Sequence, residues 1–355
     1  MKTMYKLPDK LSCFAPYEPL VGEYKIRLDV NESFIQVDKK IIVEAVKNVT
    51  LNRYPDPFAT GTVRAFARLF NVKPELVVAG NGSDELIGVI VAALLQKGDK
   101  LLCFKPDFTM YSFYSKLYEL DIIELEKGED MTLNVDEIVK FINENDVKCV
   151  IFSNPCNPTS LAVKKADLRR LIEGVNALVV VDEAYIDFWD ERESLLSDVE
   201  NYSNLIVLRT CSKSVALAGI RLGFAVANLT IIDVLKTVKS PFNVNVITQE
   251  IGKIILSDSE NYHNSIAKIK AATARLYADL TNLKMFEKIF DTSTNFVFIK
   301  TKNAEKIYQF LLEKSIAVRC FGEYLRICTG TDDENKKLIS ELEKFKGEMY
   351  EKSGN

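Results

Sequence analysis

The feature that most constrains the fold is an alternation of short apolar runs with longer stretches of helical period between residues 64 and 227. The short runs are rich in Val, Ile and Phe and read as strands buried on both faces, at 76–79, 100–104, 149–153, 178–181, 205–209 and 223–227. Such alternation predicts an α/β domain whose mostly parallel central sheet is covered by helices. Functional side chains are then expected at the carboxyl edge of that sheet.

The pattern changes at Pro241, which follows a helical stretch at 231–239. A long helical run at about 246–283, strands near 295–300 and 324–328, and a closing helix after Asp332 predict a smaller α+β domain. A chain of 355 residues is long enough for about two domains. We therefore predict an N-terminal arm (1–44) that packs on the small domain, a large domain (45–240) and a small C-terminal domain (241–355).

Composition excludes several classes of protein. The net charge of -4 lacks the basic excess typical of nucleic-acid binders. The longest uncharged apolar run, at 86–95, is far shorter than the roughly 20 residues of a membrane-spanning helix, and no apolar signal core is present at the N-terminus. Seven cysteines without a CxxC pair predict reduced thiols and a cytoplasmic location. The single histidine, His263, lies in a polar stretch and is expected at the surface.

The most informative segment follows the strand at 205–209, where Thr210, Ser212 and Lys213 are followed by Arg221. A lysine at the tip of a core strand often reaches solvent, and that is the alternative interpretation of Lys213. The two hydroxyl groups and the guanidinium, however, form a plausible phosphate site beside an amine. An amine next to a phosphate site suits a Schiff base to pyridoxal phosphate.

Further candidates for that cofactor follow the neighbouring predicted strands. Asp182 can hold a pyridine nitrogen protonated and Tyr185 can donate to a ring hydroxyl, although helix capping also explains an aspartate at this position. Asn157, in SNPCNPTS, can bind the same hydroxyl, but Asn beside Pro is also common in turns. Phe108 can stack on a planar ring or simply pack in the core.

A glycine-containing turn, GNGSDE at 80–85, leads into a predicted helix that begins near Ser83 or Asp84. Its backbone amides can bind a phosphate at the positive end of the helix, and a simple cap by Ser83 is the alternative. The dinucleotide fingerprint lacks its third glycine, because Glu85 stands there, and no P-loop GK[ST] is present.

Together these motifs resemble the fold type I pyridoxal-phosphate aminotransferases, and among them most closely the histidinol-phosphate aminotransferases. The resemblance rests on RYPDP (53–57), GNGSDE (80–85), NPCNPT (154–159), DEAY (182–185), SK (212–213) and AGIRLG (218–223), in the order in which the family has them. It extends over about residues 17–330. Each motif is modest support, but the ordered set is specific.

The resemblance implies a role for each residue. Lys213 would form the Schiff base and then move a proton during catalysis, with Asp182 at the ring nitrogen. Asn157 and Tyr185 would hold the ring oxygen, and Phe108 would stack on the ring where the family usually has Tyr. The phosphate would be bound by Ser83, Asp84, Thr210, Ser212 and Arg221. Tyr54 would reach the phosphate in the neighbouring subunit, which implies a homodimer.

The same resemblance points to substrate-binding residues. Arg326, in the LRI strand, and Arg319 would bind a carboxylate or phosphate of the substrate, whereas a surface ion pair is the alternative for both. Tyr17 and Asn31 match family positions near the substrate. The chain departs from the family at Ser160, Phe224 and NESF (31–34), and its loop between the two arginines is shorter.

The leading hypothesis is ping-pong transamination of histidinol phosphate and 2-oxoglutarate, which yields imidazole-acetol phosphate and glutamate. A threonine-phosphate decarboxylase and an aromatic amino acid aminotransferase are alternatives on the same scaffold. A non-catalytic protein that binds phosphate or nucleotide through residues 80–85 is a third possibility, but it would not need Lys213, Asp182 and Asn157 together.

Overall fold

The structure is a computed structural model that describes residues 5–16, 20–47 and 49–353. Its strands are β1 (Ile26–Arg27), β2 (Val77–Gly80), β3 (Lys100–Lys105), β4 (Asp121–Glu126), β5 (Cys149–Ser153), β6 (Leu178–Asp182), β7 (Leu205–Thr210), β8 (Gly223–Ala227), β9 (Lys288–Ile289), β10 (Phe296–Lys300), β11 (Ile316–Ala317), β12 (Arg319–Phe321) and β13 (Tyr324–Cys328). Its α-helices are α1 (Lys39–Lys47), α2 (Thr60–Leu69), α3 (Ser83–Leu94), α4 (Met110–Leu117), α5 (Val135–Glu144), α6 (Lys165–Gly174), α7 (Leu229–Val238), α8 (Val246–Leu256), α9 (Ser259–Asn282), α10 (Ala304–Glu313) and α11 (Asp332–Ser353).

The large sheet has seven strands in the order β2-β8-β7-β6-β5-β3-β4. Strands β4, β3, β5, β6 and β7 pair in parallel, whereas β8 pairs antiparallel with both β7 and β2. This confirms the predicted mostly parallel α/β sheet. Successive residues of its central strands enter two different cores, because side chains alternate across a strand. Val179 and Val181 face one core, and Val180 faces the other.

Helices cover both faces of this sheet. One core contains buried side chains of α2, α5, α6 and α8, and the opposite core contains those of α3 and α7. Helix α8 follows Pro241 in the chain but packs on α2, within the large-sheet core. Among the described residues, no helix combines the length and the apolar character needed to cross a bilayer.

A second lobe is built on the antiparallel sheet β12-β13-β10-β9, with α9, α10 and α11 packed around its own apolar core. The predicted helical run at 246–283 is two helices, because α8 ends at Leu256 and the carboxylate of Asp258 caps α9 by accepting from the Asn261 amide at 3.0 Å. Helix α9 reaches both lobes: Tyr262 and Ile266 lie in the large-sheet core, and Ile269, Leu276 and Leu280 lie in the core of the second lobe.

The N-terminal segment contacts both lobes. Strand β1 pairs in parallel with β11, and the Leu28 amide donates to Ala317 O at 2.8 Å, so residues 26–28 extend the second lobe. Further toward the N-terminus, Phe14 packs edge-on against Phe113 of α4 on the large lobe. The division into arm, large domain and small domain stays a prediction.

Candidate active site

A cavity of about 490 Å³ opens where the carboxyl ends of β5, β6 and β7 meet the second lobe. The predicted site residues that line it are Asn31, Ser83, Asp84, Phe108, Asn157, Asp182, Tyr185, Thr210, Ser212, Lys213, Arg221, Arg319 and Arg326. They come from segments almost 300 residues apart in the chain. The large sheet brings its own members together because its strands β2, β3, β5, β6 and β7 end at the same edge, whereas Asn31, Arg319 and Arg326 come from the N-terminal segment and the second lobe.

Asp182 is the last residue of β6 and is 4% exposed. Its Oδ2 accepts from the Tyr111 hydroxyl at 2.9 Å, and its Oδ1 accepts from the Ala184 amide at 3.1 Å. The bond to the Ala184 amide is a local turn interaction, of the kind expected if Asp182 had only a capping role. Burial raises the pKa of Asp182 to about 7. Within the described part of the chain no lysine or arginine forms an ion pair with it, so the site presents an uncompensated buried carboxyl group.

Lys213 follows β7 by three residues and lines the same cavity as Asp182. Its Nζ donates to Val30 O at 3.1 Å and lies 5.8 Å from the centre of the Tyr185 ring. Among the described residues, the amine is therefore held at the cavity wall by one neutral acceptor.

Asn157 and Tyr185 line the cavity, and among the described residues each keeps a donor without an acceptor. The Oδ1 of Asn157 accepts from Arg326 Nη1, which leaves the Nδ2 hydrogens available. The hydroxyl oxygen of Tyr185 accepts from Asn31 Nδ2 at 3.0 Å, which leaves the hydroxyl hydrogen available. In both cases a neighbouring side chain occupies an acceptor and leaves the donor for another partner.

Cationic and hydroxyl groups gather at the end of the cavity next to α3. The Thr210 hydroxyl donates to Ser212 Oγ at 3.0 Å, and Arg221 contacts Ser212 Oγ at 3.5 Å and Asp84 Oδ2 at 2.9 Å. Ser83 and Asp84 are the first residues of α3, so their amides are unpaired within the helix. This end of the cavity can bind an anion.

Two glycines make this cluster possible. Gly223 pairs with both Gly80 and Thr210, and an added Cβ there would lie 2.3 Å from the Ser83 amide nitrogen. Gly82 has φ +85°, and an added Cβ would lie 2.8 Å from Arg221 Nη2. The backbone of β8 thereby approaches the turn that begins α3 more closely than any side chain would permit.

Phe108 is half-buried and lines the cavity while its ring packs edge-on against Tyr111, with 5.6 Å between ring centres. Its packing against the core is thus observed, and its stacking on a planar ring stays a prediction.

Two of the sequence departures are also accommodated. Phe224 stacks on Phe66, and Ser160, at φ 66°, bonds through its hydroxyl to Thr294 at 2.7 Å.

Arg319 and Arg326 are directly opposite each other in the antiparallel pair β12-β13. Arg326 is 8% exposed, and its Nη2 donates to Asp29 O at 2.6 Å. Burial and the neighbouring Arg319 lower the pKa of Arg326. Its Nε is buried with no hydrogen-bond partner among the described residues. Two adjacent cations with an unused donor form a site for an anion.

Three residues named in the sequence analysis are not among the described residues that line the cavity. Tyr54 is 82% exposed, does not line the cavity and stacks on Phe242 with 4.6 Å between ring centres. Tyr17 lies outside the described residues. His263 is at the surface, as predicted, with its Nδ1 3.8 Å from Glu191.

Sequence reasoning missed two polar residues of the cavity wall, Tyr111 and Asp107. Tyr111 donates to Asp182, and Asp107 accepts from the Phe108 amide at 2.7 Å and from Ser153 Oγ. A signal existed for Tyr111, since it follows Phe108 by three residues and so lies on the same side of a helical turn. No comparable signal marked Asp107.

The family model described as Aminotransferase class I and II matches residues 21–342. A histidinol-phosphate aminotransferase from Clostridium kluyveri is 39% identical over 343 residues, which cover 94% of this chain and 97% of the relative.

Two solved structures share the fold. A histidinol-phosphate aminotransferase from Sinorhizobium meliloti in complex with pyridoxal-5'-phosphate matches with a TM-score of 0.85 at 21% identity, over 94% of this chain and 97% of that one. An L-threonine-O-3-phosphate decarboxylase from Porphyromonas gingivalis matches with a TM-score of 0.77 at 22% identity, over 90% of this chain and 99% of that one. Because enzymes with different reactions share it, the fold alone does not identify the reaction.

Proposed function

The chain belongs to the class I and II aminotransferase family, and from this premise we propose that it is a pyridoxal-phosphate-dependent transaminase. The favoured reaction converts histidinol phosphate and 2-oxoglutarate into imidazole-acetol phosphate and glutamate, a step of histidine biosynthesis. The name of the Clostridium kluyveri relative supports this substrate. The observation that carries the chemistry is the uncompensated buried carboxyl group of Asp182 in the same cavity as the Lys213 amine.

The residues present fit pyridoxal phosphate. A buried carboxyl group without a cation suits a protonated ring nitrogen, because an opposite charge favours ionisation of both groups. The free donors of Asn157 and Tyr185 suit the ring oxygen. Phe108 would pack on the ring, and Lys213 would bond to its aldehyde carbon. The phosphate would be bound by Ser83, Asp84, Thr210, Ser212 and Arg221.

When bound, pyridoxal phosphate supplies an aldehyde that condenses with an amine and a ring that accepts electrons from the bond being broken. Lys213 Nζ takes the proton from the α-carbon of the amino substrate and later returns a proton. Asp182 holds the opposite end of the site negative, and Tyr111 orients its carboxylate. Asn31 and Arg326 fix Tyr185 and Asn157 so that their donors face the cavity.

Arg319 and Arg326 would bind the anionic group of the substrate. Histidinol phosphate carries a phosphate and 2-oxoglutarate carries carboxylates, and a guanidinium can pair with both through two parallel hydrogen bonds. One arginine pair can therefore serve both halves of a ping-pong reaction. The unpartnered Nε of Arg326 supports this role.

The first experiment tests the attachment of the cofactor. Borohydride reduction of the cofactor-loaded protein, followed by peptide mapping, should leave the added mass on Lys213. The variant Lys213→Ala should lose both the added mass and turnover. Full turnover by that variant, or an added mass on a different lysine, would contradict the proposal.

A second candidate is decarboxylation of a phosphorylated amino acid, which the shared fold of the Porphyromonas gingivalis enzyme favours. An arginine pair would bind its phosphate equally well. Glutamate alone distinguishes the two reactions. A transaminase should release about one equivalent of 2-oxoglutarate per site without any acceptor, because the amino group stays on the enzyme in a ping-pong half-reaction. A decarboxylase should release none. A donor series that includes aromatic amino acids tests the remaining alternative.

The assembly is proposed to be a homodimer, with Tyr54 reaching the neighbouring site. The exposed apolar side chains near Tyr54 support an interface there, since Leu51 is 73% exposed, Phe58 55% and Phe242 38%.

All seven cysteines are free, which supports the proposed cytoplasmic location.

A further inference from the structure

A second cavity lies behind the turn that carries Asn157. Its volume is about 370 Å³, and its wall includes Lys127, Cys156 and Ser153. Ser153 also lines the candidate active site, so the two cavities lie on opposite sides of the same short segment. The proposed transamination uses neither Lys127 nor Cys156.

Lys127 and Cys156 form a close pair inside the protein. The Nζ of Lys127 donates to Cys156 Sγ at 3.0 Å and to Pro106 O at 3.0 Å, and it lies 3.7 Å from Asp107 Oδ2. The Lys127 side chain is 1% exposed and that of Asp107 is 2% exposed. Burial alone would lower the pKa of Lys127, but Cys156 and Asp107 outweigh burial and raise it. An amine and a sulfur are thus held in contact on a cavity wall.

Among the described residues, no lysine donates a hydrogen bond to any other cysteine sulfur. Burial raises the pKa of Cys103 to about 12 and that of Cys328 to about 12, which keeps both thiols protonated. Burial also raises the pKa of the half-buried Cys320 to about 11. These three thiols should react slowly with peroxide, because the thiolate is the nucleophile. At Cys156 the Lys127 amine donates directly to the sulfur, and the cavity gives a small oxidant access to it.

We propose that Cys156 and Lys127 form a peroxide-dependent modification site that closes to a sulfur–nitrogen cross-link. The Cys156 thiol gives up its proton to solvent, and its sulfur attacks one oxygen of hydrogen peroxide, so that an S–O bond forms and the O–O bond breaks. The departing hydroxide takes a proton from the Lys127 ammonium group and leaves as water, which yields a sulfenic acid beside a neutral amine. The amine then attacks the sulfur, the S–O bond breaks, and the sulfenic hydroxyl leaves with an amine hydrogen as a second water. In total one thiol, one ammonium group and one peroxide yield one sulfenamide, two waters and one released proton, and sulfur is oxidised by two electrons.

The cross-link would act on the candidate active site through Asp107. This carboxylate accepts from the Phe108 amide and from Ser153 Oγ, and Ser153 Oγ accepts in turn from the Asn157 amide at 3.0 Å. The cross-link draws the Lys127 nitrogen toward the sulfur and removes the positive charge that faces Asp107, because a sulfenamide nitrogen is neutral. Phe108 and Asn157 are the two cavity residues that depend on this arrangement, so we expect the cross-linked protein to bind pyridoxal phosphate several-fold more weakly.

The test is peptide mass spectrometry of the full chain after treatment with hydrogen peroxide. The expected product is a cross-link between the peptides that contain Lys127 and Cys156, with a loss of about 2 Da that dithiothreitol reverses. The matched variant Lys127→Arg keeps the positive charge but should form no cross-link, and dimedone should label its Cys156 instead. The proposal is overturned if Cys156 stays a thiol while Cys13 or Cys320 is oxidised, or if Cys156 proceeds to sulfinic acid without a cross-link.

A second measurement links the modification to the cofactor. Titration of cofactor-free protein with pyridoxal phosphate, after removal of reagents, should give a weaker dissociation constant for the cross-linked protein and the original value after reduction. The cross-link is detected by mass whether or not the chain is a transaminase, so failure of one proposal is distinguishable from failure of the other. An unchanged dissociation constant in fully cross-linked protein would refute the connection to Phe108 and Asn157.

Discussion

At the scale of single residues, the buried carboxyl group of Asp182 couples the stability of the cofactor-free protein to pH. Its pKa in the folded protein is about 7, above the ordinary value of 3.8, so the folded state binds the proton more tightly than the unfolded state. Stability contributed by this proton is complete below about pH 4 and is lost as the pH rises toward 7.

The variant Asp182→Asn removes this dependence. We expect its free energy of unfolding, relative to the native chain, to rise between pH 4 and pH 7 by up to about 4 kcal/mol. Urea denaturation of cofactor-free protein at several pH values measures it. Asp198→Asn is the control, because Arg169 and Lys165 outweigh burial and lower the pKa of Asp198 below 3.8, so its free-energy difference should change little between pH 4 and pH 7. A difference in free energy of unfolding between Asp182→Asn and the native chain that does not change with pH would contradict the expectation.

The arginine pair predicts opposite effects on stability and on activity. Replacing Arg319 by Gln removes a like charge from beside Arg326, so the substrate-free protein should gain up to about 1 kcal/mol. The same change should lower kcat/KM for histidinol phosphate about 10- to 100-fold, mainly through KM, because a charged hydrogen bond is lost. Steady-state kinetics and urea denaturation measure the two effects. Arg275→Gln, at an exposed ion pair, should change neither appreciably. Loss of stability together with unchanged KM would assign Arg319 a structural role.

At the scale of elements, the close approach of β8 to the turn before α3 predicts strict dependence on Gly223. Gly223→Ala would place a Cβ 2.3 Å from a backbone nitrogen that cannot move without displacing Ser83. We expect a loss of about 1 to 3 kcal/mol and weaker pyridoxal-phosphate binding, measured by thermal unfolding and by cofactor titration. Gly347→Ala, in α11 with open space around it, should be neutral or stabilising. Equal changes in thermal stability and in cofactor binding for Gly223→Ala and Gly347→Ala would show that the close approach of β8 to the turn before α3 does not require a glycine.

Most strands and helices of the large lobe could be predicted from the sequence. All six predicted strands of the large sheet exist, because each is a short, mostly apolar run that is buried on both faces of the sheet, whether it pairs in parallel or, like β8, antiparallel. The edge strand β4 was missed, since its sequence DIIELE is only partly buried and places acidic residues among apolar ones. The break between α8 and α9 was missed because a two-residue connection hardly disturbs the helical period.

The site could be predicted in its membership but not in its hydrogen bonding. Most of its large-lobe residues follow the carboxyl ends of separate strands, and parallel topology brings such residues together, whereas Arg319 and Arg326 lie within antiparallel strands of the second lobe. The contacts of Arg326 with Asn157 and of Tyr111 with Asp182 depend on how distant elements pack. No local pattern encodes such partners.

At the scale of the whole molecule, the proposed exchange of Tyr54 between subunits can be tested by mixing inactive variants. Lys213→Ala lacks its own amine, and Tyr54→Ala would lack the contact that it gives to its neighbour. A mixed dimer would contain one site with both residues intact. After unfolding and refolding together, random pairing should restore about a quarter of native activity. Each variant refolded alone is the control, and absence of recovery in proven mixed dimers would contradict the exchange.

Helix α9, which supplies apolar side chains to two separate cores, has a consequence for how the chain unfolds. Unfolding of either lobe would disrupt α9 and thereby remove apolar side chains from the core of the other lobe. The cofactor-free chain should therefore unfold as one cooperative unit despite having two sheets. Scanning calorimetry should show one endotherm, and Ile269→Ala should shift it to lower temperature without dividing it. Two resolved endotherms would mean that the lobes are energetically independent.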